Sequence, residues 1–114
     1  MNIVEPEIIA ASVEPPRAEV KISAPGDLYF FQGHFPEQAI LPGIVQVHWA
    51  IGLARTYLGL ESSFKGIEGL KFHRVITPCT RLQLTLEKSE QTGKLYFSFA
   101  SENGVHSQGR ILFG

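Results

Sequence analysis

The 114-residue chain has one cysteine, Cys79, so no internal disulfide forms and a reducing, cytoplasmic setting is expected. Cys79 sits in a proline-flanked turn, where a lone cysteine is usually incidental. Its cysteine and histidines lack the ligand spacing of a metal site. There is no glycine-rich phosphate loop, and neither metal nor cofactor is expected. An excess of charge of one sign is also missing. Ten basic residues face eleven acidic ones, leaving a net charge of −1 at pH 7. That argues against a general binder of nucleic acid or of anionic membranes. No basic region precedes an apolar run near Met1, so no secretory signal is expected. No stretch reaches about 18 uninterrupted apolar residues, so no membrane span is expected either. At this length, with 44% hydrophobic residues, the chain reads as one domain over 1–114, with 1–16 as a loosely attached N-terminal segment. A core of this size gains from oligomerisation.

The chain is organised around residues 33–58, GHFPEQAILPGIVQVHWAIGLARTYL. Pro42-Gly43 opens a helix, and proline suits a first turn because its missing N–H is not needed there. From Ile44 to Leu58 the apolar side chains cover most of the helical circumference, which predicts a buried helix. His48, Gly52 and Arg55 fall at i, i+4 and i+7 and share a face, while Gln46 points roughly the other way. A buried polar group without a partner costs about 1–3 kcal/mol, so His48 needs a partner or a use. Arg55 reads as a paired or snorkelling residue. Trp49 and Tyr57 read as core.

Upstream, Gly33-His34-Phe35-Pro36 precedes a predicted loop over 37–41. Residues before proline favour extended backbone, so His34 leaves the end of a strand and the loop feeds the helix. The N–H groups around Gly43 are then the free donors of a helix N-terminus. A histidine, those donors and a second polar side chain one turn further in form a constellation for acting on a carbonyl compound.

The sequence His-Phe-Pro, a short spacer, then Pro-Gly and a helix resembles the active-site segment of the FabZ/FabA-type 3-hydroxyacyl-acyl carrier protein dehydratases of the hot-dog superfamily. The version Leu41-Pro42-Gly43-Ile44-Val45-Gln46-Val47-His48-Trp49-Ala50 looks most like their ApeI-like branch, which acts in aryl polyene-type acyl chain synthesis. The resemblance runs from about Ser23 to the C-terminus and is strongest over 32–49. It implies that His34 is the catalytic base at C2 of the substrate and that the Gly43 N–H binds the thioester carbonyl. Phe35, Pro42 and Ile44 are carried over as substrate-binding positions. His48 stands where FabZ has a glutamate and FabA an aspartate, the group that handles the departing 3-hydroxyl. An unperturbed histidine titrates near about 6.5, so neutral His34 can serve as base and protonated His48 as acid, the two titrating as a coupled pair. Alternatively His48 only holds a water or the hydroxyl. A histidine in an apolar segment is more often a hydrogen-bonded structural residue than a catalyst. The motif reverses that preference for His34, while for His48 both readings stand.

The resemblance also implies a homodimer that sets His34 of one chain beside the helix residue of the other. It further implies an acyl carrier protein bearing a phosphopantetheine-linked acyl chain as partner, with the chain in an apolar tunnel beside the helix. The stretch 72–78 is similar to the strand-to-turn segment that follows the helix in these enzymes. There His73 and Arg74 are either a receiver for the carrier's acidic surface or phosphate, or simply a solvated sheet face.

The remaining chain reads as sheet. Residues 7–13 form an extra strand or short helix, ended by Pro15-Pro16. Residues 18–23 alternate as a half-buried strand, and 28–31, apolar without a break, form a short buried strand that aims the His34 loop. Gly59 reads as a helix C-cap. Strands follow over 66–76, 81–89, 94–100 and 105–113, with turns at 77–78, 91–93 and 102–104 and a bulge at Gly109. Leu82, Leu84 and Leu86, then Leu95, Phe97 and Phe99, each mark one face. One long helix with an antiparallel sheet is an α+β layout, and the resemblance identifies it with the hot-dog fold.

Three functions are weighed. The first is dehydration of a 3-hydroxyacyl thioester to the trans-2-enoyl thioester in fatty-acid or aryl-polyene-type synthesis. The second is a hot-dog thioesterase, which would want a carboxylate near the helix start; Glu37 is the only nearby candidate. The third is a non-catalytic subunit paired with another dehydratase subunit.

Overall fold

The helix and most of the strands form close to where the side-chain periods predict them. The computed structural model describes residues 3–32 and 39–114. In chain order the elements are β1 (Glu7–Glu14), β2 (Arg17–Ser23), a single 3-10 turn (Tyr29–Phe31), α1 (Gly43–Leu58), β3 (Phe64–Phe72), β4 (Arg81–Lys88), β5 (Leu95–Ser101) and β6 (Gly104–Phe113). The strands form one antiparallel sheet in the order β1-β2-β4-β5-β6-β3.

The alternation along β2, β4 and β5 puts Val20, Ile22, Leu82, Leu84, Leu86, Leu95, Phe97 and Phe99 on one buried face. Cross-strand pairing sets Val20 beside Leu84 and Leu84 beside Phe99, so the apolar face is continuous across three strands. Helix α1 shares this core through Val45, Val47, Trp49, Ala50 and Ala54. Ala50 and Ala54 lie one turn apart and are fully buried, and their small side chains allow close approach of helix and sheet. This is the hot-dog arrangement, a sheet wrapped on one central helix. Among the described residues, no helix is long and apolar enough to cross a membrane, and no cluster of three metal-ligating side chains occurs.

Four local expectations need correction. Residues 28–31 are not a strand. Leu28 and Phe31 are both buried while Tyr29 is half exposed, and an i, i+3 pair on one side is the period of a 3-10 turn. The first of the four later strands begins at Phe64 and ends at Phe72, so 73–76 is irregular. Gly109 is not the bulged residue. The extra residue lies opposite it, between Glu68 and Lys71 of β3, where Gly69 has φ 61°. Gly109 gives that bulge room, since a side chain there would come within 3.3 Å of the Leu70 Cα. Finally, α1 is not buried all round. Ile44, His48, Gly52 and Arg55 form an exposed stripe, and Ile44 is 74% exposed.

The segment 7–13 is strand, paired along β2, and the turn after it contains a cis Pro15-Pro16 bond. The helix ends as expected, on Gly59 at φ 66°. The 102–104 hairpin closes with Ser101 opposite Gly104, whose φ of 110° is one that glycine adopts at little cost.

On the exposed side of the sheet, Glu68 accepts bonds from Lys94 Nζ at 2.6 Å and Arg110 Nε at 3.0 Å. The hydrogen bond from Lys94, then that from Arg110, hold its carboxyl below the usual glutamate value of 4.5. A carboxylate with a lowered folded-state pKa adds stability above its unfolded value and loses it as pH falls through the folded one. The stability gap between the protein and its Glu68→Gln variant should therefore be present at pH 7 and close as pH falls below about 4.5. Urea unfolding across that pH range measures it, and added salt should narrow the gap at neutral pH.

Candidate active site

The start of α1 lies in a cavity of about 260 Å³ bounded by Leu41, Gly43, Gln46 and the segment 72–75. Pro42 is the N-cap residue and offers no side-chain cap, and the first turn has no acidic residue. Among the described residues, neither the Gly43 nor the Ile44 N–H has an acceptor. Within the described residues these donors and the positive end of the helix dipole therefore face the cavity without a partner. A larger hollow of about 420 Å³ lies elsewhere, over β2 and β4 beside Ile9, Lys21 and Arg81. No residue of α1 lines it.

Gly43 is fixed by its neighbour. A Cβ there would overlap Phe72 Cζ and lie 2.9 Å from Cε1. Phe72 is itself half exposed, so its ring forms a wall of the cavity.

The cavity floor is held by a hydrogen-bond chain from β6. Ser107 Oγ donates to Gln46 Oε1 at 2.6 Å, and Gln46 Nε2 donates to the Leu41 carbonyl at 3.2 Å. The Leu41 N–H donates to the Ile76 carbonyl at 2.8 Å. His106, 4% exposed, holds the next stretch. Its ring Nδ1 bonds the Val75 carbonyl at 2.9 Å, and its own carbonyl accepts from the His73 and Arg74 N–H groups. A carbonyl can only accept, so Nδ1 carries the proton; in the neutral ring Nε2 then accepts from Ser101 Oγ at 2.6 Å.

The sequence-predicted residues are only partly brought together. Pro42 and Gly43 stand at the cavity, with Gly43 in its lining. Ile44 and His48 lie on the exposed stripe of α1, outside that lining. His48 is therefore not the buried polar residue of the helix. Gln46 is, at 2% exposure and with both ends of its amide bonded. The signal was available, because Gln46 faces away from the His48 stripe and so towards the sheet. His34 and Phe35 lie outside the described residues. His73 and Arg74 are exposed on the cavity rim. In sequence His106 and Ser107 are two polar residues in a strand, with no motif around them. The register shift between Phe99 and Ala100, opposite this part of β6, accompanies the burial of both neighbours.

Residues 10–110 match the ApeI-like family, described as ApeI dehydratase. Over 77 residues the chain is 38% identical to the 3-hydroxyacyl-acyl-carrier-protein dehydratase FabZ of Erythrobacter litoralis, a match covering 59% of this chain and 50% of the relative. The chain spans about half the length of the curated relatives it matches first. Among solved structures, the dehydratase heterocomplex ApeI:P of Xenorhabdus doucetiae is similar with TM-score 0.84 and 33% identity, over 94% of this chain and 96% of that one. An uncharacterized protein of Erwinia carotovora is similar with TM-score 0.87 and 29% identity, over 96% and 95%.

Replacing His106 removes the side-chain tie to Val75 but not the backbone ones. His106→Ala should cost about 1–3 kcal/mol in urea unfolding, because a buried ring is lost together with its bonds to Val75 and Ser101. Amide exchange at residues 73–76 should quicken in the same variant.

Proposed function

This chain belongs to the ApeI-like dehydratase family, and from that premise we propose that it removes water from 3-hydroxyacyl thioesters carried on acyl carrier protein, giving trans-2-enoyl thioesters. One observation carries the reading: a glycine-started helix presents N–H donors that have no acceptor among the described residues to a cavity of about 260 Å³. That is below the about 300–1,000 Å³ of whole small-molecule sites, and suits the reacting head of a longer chain.

In this reading the thioester carbonyl accepts the Gly43 N–H. Neutral His34 takes the proton from C2, and negative charge grows on the carbonyl oxygen, where the helix start stabilises it. The C2=C3 double bond forms as the C3–O bond breaks. The hydroxyl leaves as water with a proton from His48, in the position that FabZ and FabA fill with a carboxylate. Phe35, Pro42 and Ile44 contact the substrate. His48 lies on the exposed stripe of α1, which suits a homodimer in which one chain's His34 meets the other chain's His48. The exposed apolar residues Ile44, Phe72 and Val75 beside the cavity fit such an interface. His73 and Arg74 on the rim suit the acidic carrier protein or its phosphopantetheine phosphate. Soluble, cytoplasmic action in fatty-acid or aryl-polyene-type synthesis follows from the same reading.

A second arrangement has its own support. The similar Xenorhabdus structure is a heterocomplex, and here a histidine replaces the usual carboxylate. In that arrangement the chain works beside a second dehydratase subunit.

The test is incubation with a 3-hydroxyacyl carrier protein, following the 2-enoyl product by mass. His34→Ala and His48→Ala should each lower kcat by about 10²–10⁴-fold, the usual contribution of a positioned acid or base. Loss with His34→Ala alone would reduce His48 to a positioning group. If the protein dehydrates only with a second subunit, the heterodimer holds. Absence of water loss under both conditions refutes the dehydratase reading, and release of free thiol instead would identify a thioesterase.

A further inference from the structure

We propose that Gln46 is a positioning residue, whose side-chain amide sets the direction of the Gly43 N–H by clamping Leu41 to β6. The inference rests on the dehydratase reading.

The helix start needs such a clamp. A usual N-cap side chain would hold the first turn by bonding its free N–H groups, and here that would consume donors that a carbonyl substrate needs. Pro42 makes no such bond. The tether comes from inside the helix instead. Gln46 Nε2 reaches back to the carbonyl of Leu41, the residue before the N-cap, while the Gln46 backbone N–H bonds the Pro42 carbonyl at 3.2 Å. Leu41 is thus gripped on both sides, its N–H by Ile76 and its carbonyl by Gln46. Two residues later comes Gly43.

The other end of the amide is anchored in the sheet. Ser107, fully buried in β6, donates to Gln46 Oε1 at 2.6 Å. Its neighbour His106 fixes residues 73–75, which form the opposite wall of the cavity. Adjacent residues of one strand therefore set the distance between the helix start and the wall. The position needs one donor and one acceptor at the reach of a glutamine. A leucine fills similar volume but bonds neither partner, and a glutamate keeps an acceptor for Ser107 while losing the donor to Leu41.

The test compares the protein with Gln46→Leu, Gln46→Glu and Ser107→Ala in the dehydration assay. It is run well below each variant's thermal midpoint, with activity counted per folded protein. A small misplacement of reacting groups is expensive, so Gln46→Leu and Gln46→Glu should lose at least about tenfold in kcat with KM nearly unchanged. Ser107→Ala keeps the bond to Leu41 and should lose less. A second readout is independent of turnover. Carbonyl-13C proline with 15N glycine labels two amides, those of Pro25-Gly26 and Pro42-Gly43. Adding a 3-hydroxyacyl pantetheine amide should shift the Pro42-Gly43 signal in the protein but not in Gln46→Leu, the other signal serving as control. If Gln46→Leu fails to fold, Gln46→Glu carries both comparisons. Wild-type turnover with kcat per folded variant unchanged, whatever the thermal midpoint does, overturns the positioning role alone. Wild type with no turnover, alone or with a second dehydratase subunit, and no shifted Gly43 signal overturns the dehydratase reading, and the inference with it.

Discussion

A helix whose first N–H groups find no acceptor among the described residues must be held in place by something other than its own cap. That constraint organises the structure around α1. The helix lies on the sheet through Val47, Ala50 and Ala54, but apolar contact sets depth better than direction. Direction at the first turn comes from hydrogen bonds that the sheet extends to it, through Ser107, Gln46 and the Leu41–Ile76 pair. Each of those bonds spends a polar group that would be costly to bury alone. None spends the donors of Gly43 and Ile44.

The same economy explains the glycine. Phe72 ends β3 against the helix start, and its ring closes the cavity only because position 43 has no side chain. The bulge at Gly69 and the small residue at Gly109 opposite it set where β3 runs before it reaches Phe72. The edge strand is therefore bent in a region that also builds the wall of the site. His106 then holds the chain just beyond, so the wall is fixed at both ends.

The sheet was legible in the sequence because its signals are local. Leu82, Leu84 and Leu86, and Leu95, Phe97 and Phe99, alternate without interruption, and side chains of period two admit one buried face. The helix limits were legible for the same reason, with Pro42-Gly43 at one end and Gly59 at the other. What failed depended on partners distant in sequence. Residues 28–31 looked like strand because all four are apolar, yet only Leu28 and Phe31 meet the core fully. The bulge was placed on Gly109 because a glycine marks the spot, although the extra residue belongs to β3. Among the polar residues of the helix, chemistry alone points to His48. Burial selects Gln46, whose partner Ser107 is 61 residues away. His34 and Phe35, the centre of the motif, lie outside the described residues, so for them the sequence remains the argument.

The exposed stripe of α1 bears on the proposed chemistry. Ile44 and His48 lie one turn apart, so they face the same way, and Ile44 is too exposed to be core in a single chain. The free edge strand β3 presents Phe64, Leu70 and Phe72, with Val75 just beyond, also partly exposed. An apolar edge of that kind is a liability unless covered. Covering it with a second subunit in the proposed assembly would exclude water from the mouth of the cavity, where excluded water strengthens a hydrogen bond to a developing oxyanion. In that assembly the association surface and the reaction site are one region. A histidine at position 48 would then feel the same desolvation as the substrate. Desolvation favours the neutral imidazole, so acting as the acid in that assembly would require an acceptor on the other ring nitrogen to hold the proton there.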